Sequence, residues 1–369
     1  MKRVFIAAGI VCLLALFAGG FALYRNLQPM FDAIANQPKM PEELKSPKVI
    51  IGADSFSRTT YSTAPGLGII TDIEPWENRG LVVVGKNGAA FLAENGPTSS
   101  AIQFEACDSD VVVASIGQGA FLCRAELMSG PSLLDLDGKI LWSYKRDSLG
   151  IAADDSVAGE LGPAHTKGVV VGMNGDGGIR LLTPEGKEVW RKPEGNVWHV
   201  EIAALDDKPG NVIVHSDAAG QLTLRDEDGN VLSRTSPEIY LAHFSLTSWH
   251  DNLQRNKLIA AEEGALYVLS MNGQTVAKLP APESKTGTAE AKGTPVHFAK
   301  GMPFYAGIVR HRQWDRTLLY IYDSQNRIVY DEVIDHDCGA LQTVTEAKDV
   351  ESLLLGCDGT VMKYSHLNR

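Results

Sequence analysis

Leu134-Asp135-Leu136-Asp137-Gly138-Lys139-Ile140-Leu141-Trp142 reads as an apolar strand, an acidic-glycine turn and a further strand that ends in tryptophan. The same arrangement returns as Leu182-Thr183-Pro184-Glu185-Gly186-Lys187-Glu188-Val189-Trp190, and shorter versions lie at residues 222–232 and 266–276. The copies recur about every 40 to 47 residues, a period typical of β-propeller blades. One four-stranded blade cannot cover both of its faces, so blades must stack on their neighbours. The repeat therefore predicts a propeller.

Looser copies at residues 81–94, 304–330 and 353–364 bring the number of units to about seven. After Lys48 the apolar pattern is that of short strands bounded by Gly, Asn and Asp, so we expect an all-β fold with four-stranded blades. The last unit shows only three strands, whereas Val49-Ile50-Ile51 stands alone before the first. We therefore predict that residues 49–55 supply the missing strand of the last blade and close the ring.

The units that end in Gly-Lys-x-x-Trp resemble the repeats of PQQ-like, or quinoprotein-type, β-propellers. That resemblance implies the propeller fold over most of residues 80–366. The superfamily that it indicates includes both quinone-dependent dehydrogenases and envelope scaffold proteins that bind no cofactor. True quinoprotein repeats usually have Thr-Gly at the turn, where this chain has Asp-Gly, Glu-Gly or Asn-Gly. The departure favours the non-enzymatic branch, so we expect no cofactor.

The N-terminus begins Met1-Lys2-Arg3 and continues with an uncharged apolar run from Val4 to Tyr24. This run is long enough to span a bilayer as a helix. We predict a transmembrane anchor over residues 1–25, a proline-rich stalk over 26–47 and the propeller over 48–369. A cleaved signal peptide is the competing interpretation. Both place the propeller in the periplasm or cell exterior, and the anchor keeps the N-terminus in the cytoplasm.

A formal net charge of -11 argues against a nucleic-acid partner, because proteins that bind the phosphate backbone need basic patches. Hydrophobic residues make up 44% of the chain, enough to bury a sizeable core.

Four cysteines follow the N-terminal segment, and an even number in an exported chain is compatible with disulfides. The repeat places Cys107 and Cys123 on adjacent strands of the second unit, with Cys338 and Cys357 at similar places in the last. We predict that each pair links one hairpin. Four free buried thiols are the alternative.

Histidines form the one constellation that hints at chemistry. His199, His243, His297 and His336 lie at or just before the inner strand of units four to seven, and Trp198 adjoins the first of them. If they converged in the channel, the imidazoles could bind a ligand or a metal ion. Polar residues are also ordinary at a channel mouth, and we favour that interpretation over a metal site. No catalytic residue is assigned.

These observations favour a non-enzymatic binding or scaffold module, anchored to the membrane, that docks a protein or another envelope component. The alternative is a propeller enzyme, a quinone-dependent oxidoreductase, transferase or lyase, that uses the channel histidines. It requires those histidines to meet.

Overall fold

The computed structural model describes residues 39–367 except 77–79, 94–95, 98–100, 106, 108, 126–129, 145–151, 206–208, 250–251, 286–288, 301 and 348. The predicted anchor and most of the predicted stalk lie outside these residues. Within the described part of the chain, no helix has the length and apolarity needed to cross a membrane. The described strands all belong to the compact unit Glu42–Arg369, which also contains short 3₁₀ helices at Glu42–Leu44, Pro65–Leu67 and Arg312–Trp314.

Seven antiparallel sheets form the blades, as predicted. Two strands precede the first blade, β1 (Lys48–Ile51) and β2 (Phe56–Thr63). Blade 1 contains β3 (Ile70–Pro75), β4 (Leu81–Gly85), β5 (Gly88–Ala93), β6 (Gly96–Pro97) and β7 (Ile102–Gln103). Blade 2 contains β8 (Val111–Ile116), β9 (Gly119–Cys123), β10 (Ser132–Leu134) and β11 (Ile140–Ser143). Blade 3 contains β12 (Ala153–Leu161), β13 (Thr166–Met173), β14 (Gly178–Leu182) and β15 (Glu188–Lys192).

The remaining blades repeat this order, from the inner strand to the outer strand. Blade 4 contains β16 (Val197–Ala204), β17 (Asn211–Asp217), β18 (Leu222–Arg225) and β19 (Val231–Thr235). Blade 5 contains β20 (Ser245–Trp249), β21 (Asn252–Glu262), β22 (Ala265–Ser270) and β23 (Thr275–Pro280). Blade 6 contains β24 (Glu290–Ala299), β25 (Met302–His311), β26 (Arg316–Tyr322) and β27 (Ile328–Ile334). Blade 7 contains β28 (Ala340–Ala347), β29 (Val350–Gly356) and β30 (Thr360–His366).

The first strand of every blade contacts the first strand of the next blade, and β28 returns to contact β3, so the ring is complete. An N-terminal strand closes it, but not the one that we predicted. β2 pairs with β30 along its length, from Phe56 opposite His366 to Thr63 opposite Thr360, and is the outer strand of blade 7. β1 pairs with β27 and adds a fifth strand to blade 6. The prediction that residues 49–55 close the last blade is therefore wrong.

The core lies between blades, because each sheet is apolar on both faces. In β13, Val169 and Val171 pack against blade 2, whereas Val170 packs against blade 4. Alternate residues of a strand point to opposite faces, so a strand buried on both sides needs an uninterrupted apolar run. This is the reason that second strands such as β4 and β13 contain runs of valine.

The tryptophan that ends an outer strand joins one blade to the next. Trp142 Nε1 donates to the carbonyl of Pro184 at 2.7 Å, and Trp190 Nε1 donates to that of Glu227 at 2.9 Å. A Cβ added to Gly186 would lie 2.7 Å from the Trp142 ring. In the Gly-Lys-x-x-Trp motif, the tryptophan ring therefore packs on the turn of the following blade. The glycine, which has no side chain, leaves room for the ring of the preceding blade.

Both predicted disulfides are present. Cys107 is bonded to Cys123 and Cys338 to Cys357. Cys107 and Cys338 lie just before the inner strands of blades 2 and 7, rather than inside them, and their partners lie at the ends of the second strands. Each bond therefore links the inner and second strands of one blade.

Candidate functional site

The inner strands β3, β8, β12, β16, β20, β24 and β28 surround a central channel. It contains a cavity of about 380 Å³ that every blade helps to line. The inner strands run in one direction, so their first residues gather at one mouth and their last residues at the other. We call these the first mouth and the second mouth. The lining includes Asp72, Val112, Asp155, His199, Ser245, Lys292 and Leu341, one from each inner strand.

An ion pair crosses the channel at the first mouth. Arg312, which follows the second strand of blade 6, pairs with Asp110, which precedes the inner strand of blade 2. Blades 2 and 6 are as far apart as two blades of this ring can be. Arg312 Nε also lies 3.0 Å from Glu290 Oε1. Beside it, the buried guanidinium of Arg310 donates to both carboxylate oxygens of Asp337 at 2.7 and 2.9 Å.

A second ion pair crosses nearer the second mouth. Arg255 Nη1 of blade 5 lies 3.1 Å from Glu74 Oε1 of blade 1, again a pair of distant blades. Burial and the neighbouring Asp72 raise the pKa of Glu74, although Arg255 opposes that rise. Between the two crossings, Lys292 Nζ of blade 6 donates to the carbonyl of Thr71 in blade 1 at 3.1 Å. Long cationic side chains therefore tie blades 5 and 6 to blades 1 and 2 across the channel.

The Asp155 carboxylate on the cavity wall has partners in blades 2 and 4. Arg124, from the end of the second strand of blade 2, donates to it through Nε and Nη2 at distances between 2.7 and 3.0 Å. His199 Nδ1 lies 2.6 Å from Asp155 Oδ2, and the backbone N–H of Val200 donates to the same oxygen at 3.0 Å. Burial would raise the pKa of Asp155, but Arg124 and His199 outweigh burial and hold that pKa far below its usual range. Asp155 therefore joins blades 2, 3 and 4 as a carboxylate.

His199 is the protonated partner in this cluster. Burial alone would lower the pKa of His199, but Asp155 and Glu201 outweigh burial and raise it to about 9. Its Nε2 is buried and has no hydrogen-bond partner among the described residues, with Glu201 Oε1 3.5 Å away. The ring also meets Phe244 edge to face at 4.6 Å between centroids. The charged imidazole therefore has one N–H that makes no hydrogen bond among the described residues and that lies 3.5 Å from the Glu201 carboxylate.

The structure brings together part of the predicted histidine set. The rings of His199 and His243 are 5.9 Å apart, and both residues line the cavity with Trp198. His297 lies near the second mouth, where its Nδ1 is 3.3 Å from Glu351 Oε2. His336 is exposed before the inner strand of blade 7. Neither of these two is among the described residues that line the cavity.

Sequence reasoning missed the groups that organise the channel, namely Asp155, Arg124, Glu201 and the two arginines of the first mouth. A signal existed for Glu201, because it lies two residues after His199 on an inner strand and so shares its face. A signal for the two arginines of the first mouth existed in Arg310-His311-Arg312, which lies at the end of a second strand. In the part of the chain that the structure describes, no three His, Cys, Asp or Glu side chains are grouped as a metal site.

Fold and channel together define a seven-bladed β-propeller whose channel is crossed by ion pairs. No protein-family model and no curated protein sequence matches the chain.

Solved structures do match. The structure of BBS1N in complex with ARL6DN, soaked with mercury, has a TM-score of 0.54 at 13% identity, covering 85% of this chain and 97% of that one. A catalytically inactive variant of virginiamycin B lyase from Staphylococcus aureus, with Quinupristin, has a TM-score of 0.52 at 11% identity, covering 84% and 99%. The Neurospora crassa Pan2 WD40 domain has a TM-score of 0.50 at 12% identity, covering 90% and 98%. At these identities, the likeness shows the propeller fold alone.

Proposed function

We propose that this protein is a membrane-anchored, extracytoplasmic propeller of the PQQ-like, non-enzymatic type that docks a protein component of the cell envelope. One observation carries the proposal: the outer strands of five consecutive blades expose aliphatic side chains beside an open strand edge. An open edge presents unpaired backbone N–H and C=O groups, to which an extended segment of another protein can add as a further strand.

The exposed positions recur from blade to blade. In blades 2 to 5, Leu141, Val189, Val231 and Val276 are each at least 41% exposed on β11, β15, β19 and β23. In blade 6 the added strand β1 exposes all four of its residues. The outer strand of blade 7, β2, exposes Arg58, Thr59 and Thr60 instead. The aliphatic edges therefore form one continuous sector of the ring.

Two further observations support the location and the class of partner. Disulfides persist in oxidising compartments, so the two bonds support export, together with the apolar N-terminal run. A propeller of similar fold, BBS1N, was solved in a complex with ARL6DN. Binding of another protein is therefore a use to which this architecture is suited.

Site-specific photocrosslinking in the native cells tests the docking edge. With a photoreactive amino acid at Val189 or Val231, we expect the same discrete adduct, because both residues lie in the aliphatic sector. The same group at Thr59 on β2 is the matched control and should give no such adduct. A Val189→Lys substitution should abolish the adduct formed from position 231. Adducts that form equally from all three positions would refute the proposal.

The location is tested separately. Protease added to cells with a permeabilised outer boundary should degrade the propeller while a tag before Met1 stays protected. Protection of both parts would contradict an extracytoplasmic propeller, and release of the protein from washed membranes would favour the cleaved-signal interpretation.

A propeller enzyme is the second candidate, and the Asp155–His199 pair is the observation that favours it. A carboxylate that holds Nδ1 of a histidine on a cavity wall is an arrangement used for proton transfer. Because the pKa of His199 is raised to about 9, this imidazole would act as an acid at neutral pH. Turnover of a substrate that is lost in His199→Gln would support this candidate over a docking module.

A further inference from the structure

The cavity wall holds a hydrogen-bond donor and an acceptor side by side. His199 is 9% exposed, its Nδ1 is engaged by Asp155, and its buried Nε2 has no partner among the described residues. Glu201 Oε1 lies 3.5 Å from that nitrogen, too far for a direct N–H···O bond. Both side chains line the cavity because they are two residues apart on β16.

One oxygen atom can satisfy both groups at once. A hydroxyl accepts through its lone pairs and donates through its single hydrogen, so it can accept from His199 and donate to Glu201. A peptide amide separates its donor and acceptor onto different atoms, and a carboxylate or an ammonium group offers only one of the two roles. The donor-acceptor pair therefore selects hydroxyl groups.

The local charges are balanced around this pair. Asp155 neutralises one cation, and Glu74 lies 3.1 Å from the Arg255 guanidinium. The described cavity lining as a whole contains seven carboxylates and six cations, with His199 counted as a cation, so the opposite charges nearly balance. An added charge would enter a partly buried site without a counter-ion, which costs free energy, so a neutral ligand fits best.

The remaining wall suits a ligand with an apolar face. Trp198 lines the cavity next to His199, and Phe244 and Ser245 line it from blade 5. Aromatic rings cover the C–H face of a compact ring, while Asp154 and Ser245 offer further polar atoms to neighbouring hydroxyls. A cavity of about 380 Å³ lies at the small end of ligand pockets.

We propose that the central cavity binds one or two units of a neutral saccharide, with a hydroxyl between His199 and Glu201 and the apolar sugar face on Trp198. This site goes beyond the docking edge, which lies on the outside of the ring. A sugar bound in the channel would recognise an envelope glycan while the outer strands hold a protein.

The test uses the purified full chain in a detergent without a sugar headgroup. Saturation-transfer NMR and calorimetry are performed with glucose, galactose, mannose, N-acetylglucosamine, maltose and cellobiose. At least one saccharide should bind, with a dissociation constant on the order of millimolar or lower. Glu201→Gln should weaken it by about tenfold or more, since it removes a charged acceptor. Glu185→Gln, on an exposed turn of blade 3, is the matched control and should bind normally.

Trp198→Ala provides a second measurement, because it should remove saturation transfer to the C–H protons of the sugar. Spermidine, citrate and triglycine serve as cationic, anionic and peptide probes. The proposal is overturned if none of the six saccharides binds, if any of the three other probes binds more tightly than every saccharide, or if a correctly folded Glu201→Gln variant binds like the native chain. Crosslinking from Val189 does not depend on this cavity, so failure of one proposal leaves the other standing.

Discussion

His199 Nδ1 lies 2.6 Å from Asp155 Oδ2, so a histidine of blade 4 and a carboxylate of blade 3 are joined at the channel wall. Arg124 of blade 2 binds the other side of the same carboxylate. Three successive blades are thus connected through one buried anion. In such a cluster, a partner left alone is a buried charge without compensation, so each member depends on the others.

The Asp155–His199 pair predicts a loss of stability in mild alkali. The pKa of His199 is about 9 in the folded protein, above its ordinary value of 6.5, so folding favours the protonated ring. This contribution is complete below pH 6.5, declines as the pH rises and is gone above about pH 9. Urea unfolding midpoints between pH 6 and 9.5 should therefore fall in the native chain and be flatter in His199→Gln. His336→Gln, at an exposed position, should retain the native slope. An unchanged slope in His199→Gln would show that the decline has another source.

The tryptophan contacts between blades predict that alanine substitution destabilises the protein by different amounts at two glycines with the same backbone conformation. Gly186 and Gly195 have φ of 78° and 77°, but an added Cβ meets the Trp142 ring only at Gly186 and has no atom within 4 Å at Gly195. Gly195→Ala should cost about 1 kcal/mol in unfolding free energy from backbone strain alone. Gly186→Ala should cost a further 1–3 kcal/mol or so, because the indole ring must move. Equal costs in urea titrations would mean that the docked ring adds no packing energy.

Ring closure predicts that β2 matters far more than β1. The Phe56 ring is 5% exposed and lies 5.3 Å from those of both Phe298 and Tyr330. Phe56→Ala should therefore destabilise the protein by about 3–5 kcal/mol. Ile50→Ala, on the exposed strand β1, should change the free energy of unfolding by no more than about 0.5 kcal/mol. If thermal or urea unfolding showed that Ile50→Ala lowers the free energy of unfolding as much as Phe56→Ala does, β1 would be the strand that closes the ring.

The two disulfides predict a measurable loss of stability when either bond is removed. Each bond closes a loop with a sequence separation of 16 or 19 residues, and removal of either pair by serine substitution should cost about 3 kcal/mol. The two losses should add, since the bonds lie in blades 2 and 7 and belong to separate hydrophobic clusters. Thiol labelling of the denatured, unreduced full chain should modify Cys12 alone. Labelling at Cys107 or Cys338 would contradict the pairing.

Local spacing in the sequence was enough to predict the blades, their number and the cysteine pairs. A turn such as Asp137-Gly138 indicates where a strand ends. An apolar run such as Val169-Val170-Val171 indicates a strand that is buried on both faces. The sequence did not identify β2 as the closing strand, because β2 reads Phe-Ser-Arg-Thr-Thr-Tyr-Ser-Thr and an outer strand with only half of its residues exposed still needs no apolar run.

The sequence by itself thus determined the ring, since each blade repeats one local pattern that can be buried only by stacking. It also placed His199 on an inner strand. Only the tertiary structure decided which groups that histidine meets, because its partner Asp155 and the Arg124 that binds the same carboxylate precede it by 44 and 75 positions in other blades. Closure of the ring likewise set Arg312 against Asp110, which are separated by 202 residues. Contacts across the channel depend on the relative positions of distant blades after the ring has closed. Local periodicity in the sequence does not carry that information.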